Sequence, residues 1–231
     1  MTLICGIQCS DGLLLAADRE ETDGIGKFSA QKIHEFSGRE FQLGLAGAGD
    51  SSLADKAVLR IVASAGAEKF RAEHEQIIET ELRQIYATYV WDERIPESDE
   101  RGISLIVGLC DTVSRQNLLY CSVDEILWMR TGFACAGCGE MLGSYLLERF
   151  YTPQLAIAEA TVLMRFVLSE VKSSVAAVGG QSEILALTAS GASRALAGDD
   201  GVPRLADVLA PFWRTKPGAV KIAGRKARVS K

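Results

Sequence analysis

The sequence predicts an α+β protein in which antiparallel sheets carry helices on their outer faces. Two short apolar runs near the N-terminus are split by Asp11-Gly12, a strong hairpin signal. The elements come in blocks (strands, two helices, strands, two helices, strand) rather than in the βαβ alternation of a parallel sheet. A late helix is apolar nearly all round, with Leu155, Ile157, Val162, Leu163, Phe166, Val167, Leu168 and Val171, and must be covered on more than one side.

Taken in order, Thr2–Cys9 is β-branched and apolar, stops at Ser10-Asp11-Gly12 and resumes as Leu13–Asp18. Strands are expected around Phe28–Phe36 and Phe41–Ala46, with Gly38 at the turn between them. The stretch Gly44–Asp50 opens a helix, because Asp50, Ser51 and Ser52 are good starters and Leu53, Ala57, Val58, Ile61 and Val62 keep helical spacing. A second helix is expected over Glu68–Val90, striped by Ile77, Ile78, Leu82, Ile85 and Tyr89, then a charged loop over Asp92–Gly102. Strands return at Ile103–Cys110, Leu118–Val123 and Ile126–Arg130. After Gly132–Gly139 a helix runs to Phe150, and Thr152-Pro153 supplies a cap and first-turn proline for a helix to about Lys172. Gly179-Gly180 precedes a last strand, Glu183–Thr188.

At roughly 100–200 residues per domain, 231 residues make one large or two small domains, and with no visible linker one is expected over residues 1–212. An apolar share of 48% with 24% charge is ordinary for a globular chain. No apolar run approaches the roughly 18 residues of a membrane span. No basic segment precedes the first apolar stretch, so no secretory signal and a cytoplasmic location are expected. In that setting the six cysteines read as thiols rather than a disulfide framework, Cys5 and Cys9 packing on one strand face. His34 and His74, the two histidines, leave little room for a His-rich metal site or a histidine triad. From Trp213 to Lys231 there are seven basic residues and no acidic one, against 18 basic and 30 acidic in the rest. With Pro217, Gly218 and Gly224, this tail (213–231) reads as a solvated terminus rather than a nucleic-acid dock.

Chemistry without histidine is available at Thr2. Removal of Met1 would join a hydroxyl and a free α-amine on one residue, and an amine titrating near about 7.7–8.0 is a usable base at neutral pH. Asp18 ends the next expected strand and Lys32 lies in a third. A lysine beside the hydroxyl would lower its pKa, and an aspartate would keep that lysine charged and oriented. Gly47 and Gly49 lie where a strand turns into a helix, and backbone amides there suit a developing oxyanion. Cys135-Ala-Gly-Cys138 also reads as a redox pair or half a zinc site, but no second ligand pair accompanies it and two packed thiols explain it more simply.

Together, Thr2-Leu-Ile-Cys-Gly-Ile7, Asp11–Asp18, Thr22-Asp-Gly24, Lys32-Ile-His34 and Gly44–Gly49 resemble, in order, the opening of β-type proteasome subunits and the bacterial HslV peptidase. Ala136–Gly139 and Tyr151–Ala160 also have counterparts there, so the resemblance covers roughly residues 2–190. It implies an N-terminal-nucleophile hydrolase with a four-layer αββα sandwich, assembled into a homo-oligomeric ring that hides its active sites. It also implies a threonine-type peptidase acting on peptide or protein substrates without metal or organic cofactor. Carried over by position, Thr2 is the nucleophile, its amine the base, and Asp18 and Lys32 the supporting pair. Thr22 binds substrate backbone, and the amide of Gly47 or Gly49 is the oxyanion donor. Only Met1 need be removed, as in HslV. Two departures stand out. Cys138 replaces a serine between glycines. Val175 and Val178 stand where the family places an aspartate and a hydroxyl residue that hold the amine, unless Ser173 or Ser174 serve. A catalytically silent scaffold of the same fold is the alternative; a small-molecule amidase would differ only in its pocket.

Overall fold

A computed structural model describes residues 2–22, 26–91 and 101–197. The expected tail, 213–231, Met1 and most of the expected loop after residue 91 lie outside the described residues. Twelve strands and four helices are formed among them: β1 (Leu3–Cys9), β2 (Gly12–Asp18), β3 (Glu20–Thr22), β4 (Lys27–Ser29), β5 (Ile33–Ser37), β6 (Phe41–Gly49), α1 (Ser51–Ala65), α2 (Phe70–Tyr89), β7 (Ile103–Asp111), β8 (Asn117–Val123), β9 (Ile126–Arg130), β10 (Phe133–Gly137), α3 (Glu140–Phe150), α4 (Ile157–Ser174), β11 (Ser182–Thr188) and β12 (Gly191–Ala197).

Two five-stranded antiparallel sheets make the body, one ordered β10-β1-β2-β11-β12 and the other β5-β6-β7-β8-β9. Side-chain alternation divides each strand's apolar residues between two cores. In β1 and β2, Leu3, Cys5, Ile7, Leu14 and Ala16 face α3 and α4, packing with Leu147, Leu163, Phe166 and Val167. Ile4, Leu13, Leu15 and Ala17 turn the other way and meet Ile33, Ala46, Ile106 and Leu119 of the second sheet. The far side of that sheet, with Leu43, Leu45, Leu105 and Val107, is covered by Ala57, Val58 and Ile61 of α1 and Ile78, Leu82 and Ile85 of α2. Three stacked cores therefore separate four layers, helices outside and sheets within, as expected. The β2 strand, apolar on both faces, is fully buried for this reason.

Several local expectations are corrected. The strand around Phe28–Phe36 is two strands, β4 and β5. The glycine-rich Gly44–Gly49 stays extended to the end of β6, and the helix begins only after Asp50, whose carboxylate accepts from the Leu53 amide at 3.1 Å. The segment 133–137, read as the approach to a helix, is strand β10, and β12 follows β11 unannounced. Thr152-Pro153 does not start α4, which begins five residues after Thr152. Two carboxylates cap that helix instead: Glu159 accepts from the Ala156 amide at 3.1 Å and Asp11 from the Ile157 amide at 2.8 Å, negative charge at a helix N-terminus.

Candidate active site

Each expected site residue is delivered by a strand end. The β1–β2 ladder pairs Ile4 with Ala17, so Thr2, just before β1, falls beside Asp18 at the end of β2. Lys32 was expected inside a strand; instead it immediately precedes β5 in the other sheet. Its carbonyl accepts from the Gly47 amide at 3.0 Å, and its own amide donates to Glu183 Oε2 at 3.4 Å. The site thus sits where corresponding ends of the two sheets meet.

There Thr2 Oγ1 donates to Asp18 Oδ1 at 2.5 Å and accepts from Lys32 Nζ. Lys32 Nζ also donates to Asp18 Oδ2 at 3.1 Å and to the Glu20 carbonyl at 2.6 Å, so all three N–H directions of an ammonium are used. Asp18 is fully buried and accepts further from the amides of Leu3 at 2.8 Å, Glu20 at 3.2 Å and Gly179 at 3.2 Å. These bonds hold the carboxylate rigidly and offset the cost of burying its charge. Burial lowers the Lys32 pKa from its ordinary 10.5, while the charge of Asp18 and its hydrogen bond pull it back up.

The turn from β10 into α3 closes over Thr2 from the other side. Gly139 N and Cys138 Sγ both donate to the Thr2 carbonyl at 3.3 Å. Gly137 makes this approach possible: its φ is +95°, and a Cβ there would lie 2.3 Å from Thr2 O. Cys138 thus holds the carbonyl of Thr2.

Thr2, Lys32, Thr22, Gly47, Gly49 and Cys138 line one cleft of about 710 Å³. Its walls also carry Glu21, Asp50, Asp55 and Asp124, so its charge is predominantly negative. His34 lines the cleft too, with its pKa lowered from 6.5 by burial against the opposing pull of Asp55. The two glycines differ in availability. Asp50 N donates to Gly102 O at 3.1 Å, which fixes the alternation along β6 and turns the amides of Gly47 and Gly49 toward the β5 side. Gly47 is committed to Lys32 there. Gly49, with φ +100°, lies beyond the end of β5, whose first residue, Ile33, pairs with Ala46.

A family model described as Proteasome subunit matches residues 2–187, nearly the whole described body. The chain belongs to the proteasome subunit family. Among curated proteins none matches the sequence. This proteasome-family subunit is similar in fold to solved structures that include the following. Anbu (ancestral beta-subunit) from Yersinia bercovieri superposes with a TM-score of 0.74 at 15% identity over 94% of this chain and 98% of that one. The helical assembly of the Anbu complex from Pseudomonas aeruginosa gives 0.74 at 16% over 96% and 100%. A Gly-1 mutant of Anbu from Hyphomicrobium sp. strain MC1 gives 0.74 at 16% over 93% and 95%.

The segment that carries Val175 and Val178, where the resemblance implies polar side chains, packs into the core. Val178 is 3% exposed and packed among α4 and β1 residues, and Val175 packs at the edge of the same core. Ser173 does not stand in for them, since its hydroxyl donates back to the Glu170 carbonyl at 2.8 Å; Ser174, the last residue of α4, is exposed. The segment contributes a backbone amide, Gly179 N, to Asp18. Three participants escaped the sequence reading: the Glu20 carbonyl, the Gly179 amide and Glu183, which is fully buried and ion-paired with Arg194. Glu183 had a signal, a lone carboxylate opening an otherwise apolar strand. The other two are backbone groups and had none. Among the described residues no three His, Cys, Asp or Glu side chains are grouped to hold a metal ion. The thiols of Cys135 and Cys138 turn to different neighbours, Cys5 and Thr2.

Proposed function

We propose that this chain is a threonine-type peptidase or amide hydrolase, working in an assembly of its own copies once Met1 has been removed. The observation that carries this reading is the Thr2 hydroxyl, held between the Asp18 carboxylate and the Lys32 ammonium in the lining of a cleft large enough for a peptide segment. The freed Thr2 amine takes the hydroxyl proton, and Oγ1 attacks the scissile carbonyl. Lys32 favours the alkoxide electrostatically, and Asp18 keeps Lys32 in place. The oxyanion is received by a backbone amide at Gly47 or Gly49, of which Gly49 has the free direction. The amide C–N bond breaks, the amine returns its proton to the leaving group, and an ester to Thr2 remains. Water, activated by the same amine, hydrolyses it. Thr22, Gly47 and Gly49 line the same cleft, and a substrate chain fits there as an added strand.

The test joins intact mass with covalent labelling. Loss of Met1 and a single epoxyketone or vinyl sulfone adduct on Thr2, absent from Thr2→Ala, are the expected results. A retained Met1, or no adduct on a processed chain, overturns the reading. The second reading, a silent scaffold, is favoured by the two valines, which leave the amine without the side-chain partners the resemblance implies. It predicts a processed, assembled protein that is inert to both inhibitors. Self-assembly is supported by the family and by the helical assembly of the similar Pseudomonas aeruginosa protein. Whether this chain closes a ring or continues as a helix is read directly from particle images.

A further inference from the structure

The sulfurs of Cys5 and Cys135 lie 3.3 Å apart, although 130 residues separate them in the chain. They are directly opposed on β1 and β10, in a ladder that also pairs Leu3 with Gly137 and Ile7 with Phe133. Gln8 N donates to Gly132 O at 2.7 Å, which makes that pair a hydrogen-bonded one. By alternation Cys5 and Cys135 form a non-hydrogen-bonded pair, the kind in which facing side chains come closest. Both thiols are unbridged and buried, at 0% and 7% exposure, with Cys135 the more open of the two. The helix above leaves room for the sulfur: at Gly143 of α3 a Cβ would sit 3.3 Å from Cys135 Sγ, and there is none. The contact is the one place among the described residues where two thiols meet.

We propose that Cys5 and Cys135 are a reversible disulfide site, closed by hydrogen peroxide, that locks β1 to β10 close to Thr2. The Cys135 sulfur attacks a peroxide oxygen, the O–O bond breaks, and a sulfenic acid and one water form. The Cys5 sulfur then displaces the sulfenic oxygen as a second water, and the S–S bond forms. The two thiols lose two electrons and their two protons, and the peroxide is reduced to two waters. Closing the bond shortens the sulfur separation from 3.3 Å to about 2.05 Å. A dithiol reduces such a bridge by thiol–disulfide exchange, hence the reversibility. Burial and the neighbouring Cys135 raise the Cys5 thiol well above its ordinary pKa, so it is suited to being the second, resolving partner. Two residues up the ladder lies the turn that holds Thr2 O, so the lock acts on the strand pair presenting Thr2. The inference stands whether or not Thr2 is catalytic.

The experiment exposes the full chain to hydrogen peroxide, maps peptides without reduction, and follows the thermal midpoint. A Cys5–Cys135 cross-linked peptide that dithiothreitol reverses is expected, with a midpoint about 5–15 °C higher after oxidation. Cys135→Ala, checked for folding by circular dichroism, should lose that rise. A bridge mapped between Cys135 and Cys138, or Cys5 and Cys135 both still alkylated as free thiols after exposed Cys138 has oxidised, overturns the proposal. The peptide map on the wild-type chain decides the matter even if the variant does not fold.

Discussion

In the lining of the cleft Lys32 gives each of its N–H groups to a different acceptor: Thr2, Asp18 and the Glu20 carbonyl. Its lowered pKa sets a pH window. Between that lowered value and the ordinary lysine value the unfolded chain binds more protons than the folded one, so this group makes stability rise with pH there. Activity runs the opposite way, because a neutral Lys32 no longer favours the Thr2 alkoxide. The proposed hydrolase should gain kcat/KM as the Thr2 amine deprotonates, near about 7.7–8.0, and lose it on an alkaline limb below the usual lysine range. Lys32→Met should remove that limb, lower turnover by about 100-fold or more, and cost about 3–5 kcal/mol by leaving the Asp18 charge buried and unpaired. Rate profiles and urea denaturation check both. At this scale the sequence was informative: Thr2, Asp18 and Lys32 were each nameable from residue type and order. What it lacked were backbone partners, because every residue carries an amide and a carbonyl and nothing in the sequence marks which of them will converge.

Turns and element ends decide how well that constellation is held. The β10–α3 turn depends on the positive φ of Gly137, so Gly137→Ala would force its Cβ onto the Thr2 carbonyl. The expected outcome is a loss of about 1–3 kcal/mol in stability and a drop in Thr2 labelling larger than the stability change explains. Far from the site, Arg71 of α2 clamps Asp111 at the end of β7, through Nε–Oδ2 at 2.7 Å and Nη2–Oδ1 at 3.1 Å. Burial pulls the Asp111 pKa up, but the Arg71 guanidinium and the amides of Ser114 and Val113 outweigh it and take the carboxyl from 3.8 to about 2. The sign follows from linkage: a depressed carboxylate stabilises above its unfolded pKa, and that contribution is lost as pH falls from about 4 through about 2. Arg71→Ala should flatten the acid limb of a stability–pH curve measured by circular dichroism, leaving neutral activity near that of the parent. Elements with clean periodicity, such as α2 with its Ile78, Leu82 and Ile85 stripe, were legible in advance. β10 was not, because Phe133-Ala-Cys-Ala-Gly137 is short and small-sided, and only its pairing with β1 makes it a strand.

For the molecule as a whole, the four layers follow from alternation: strands apolar on both faces demand cover on both, and the helices supply one side while the second sheet supplies the other. Among the described residues no helix is long and apolar enough to cross a membrane. Light scattering on the purified chain should return a mass several times the 24.9 kDa of one copy. A monomeric mass at micromolar concentration would remove self-assembly from the proposed function.

Composition, periodicity and the order of a few residues were enough to determine the layered α+β architecture and the candidate nucleophile with its charged pair, because hydrophobic burial and side-chain chemistry are written residue by residue. Tertiary structure alone decided that the Gly47 amide is committed to Lys32, that Cys138 holds a carbonyl, that Val175 and Val178 join a core, and that Cys135 faces Cys5 rather than its sequence neighbour. Each of those depends on strand register and chain ends brought together across long sequence separations, and register is a property of pairing that no single strand carries on its own.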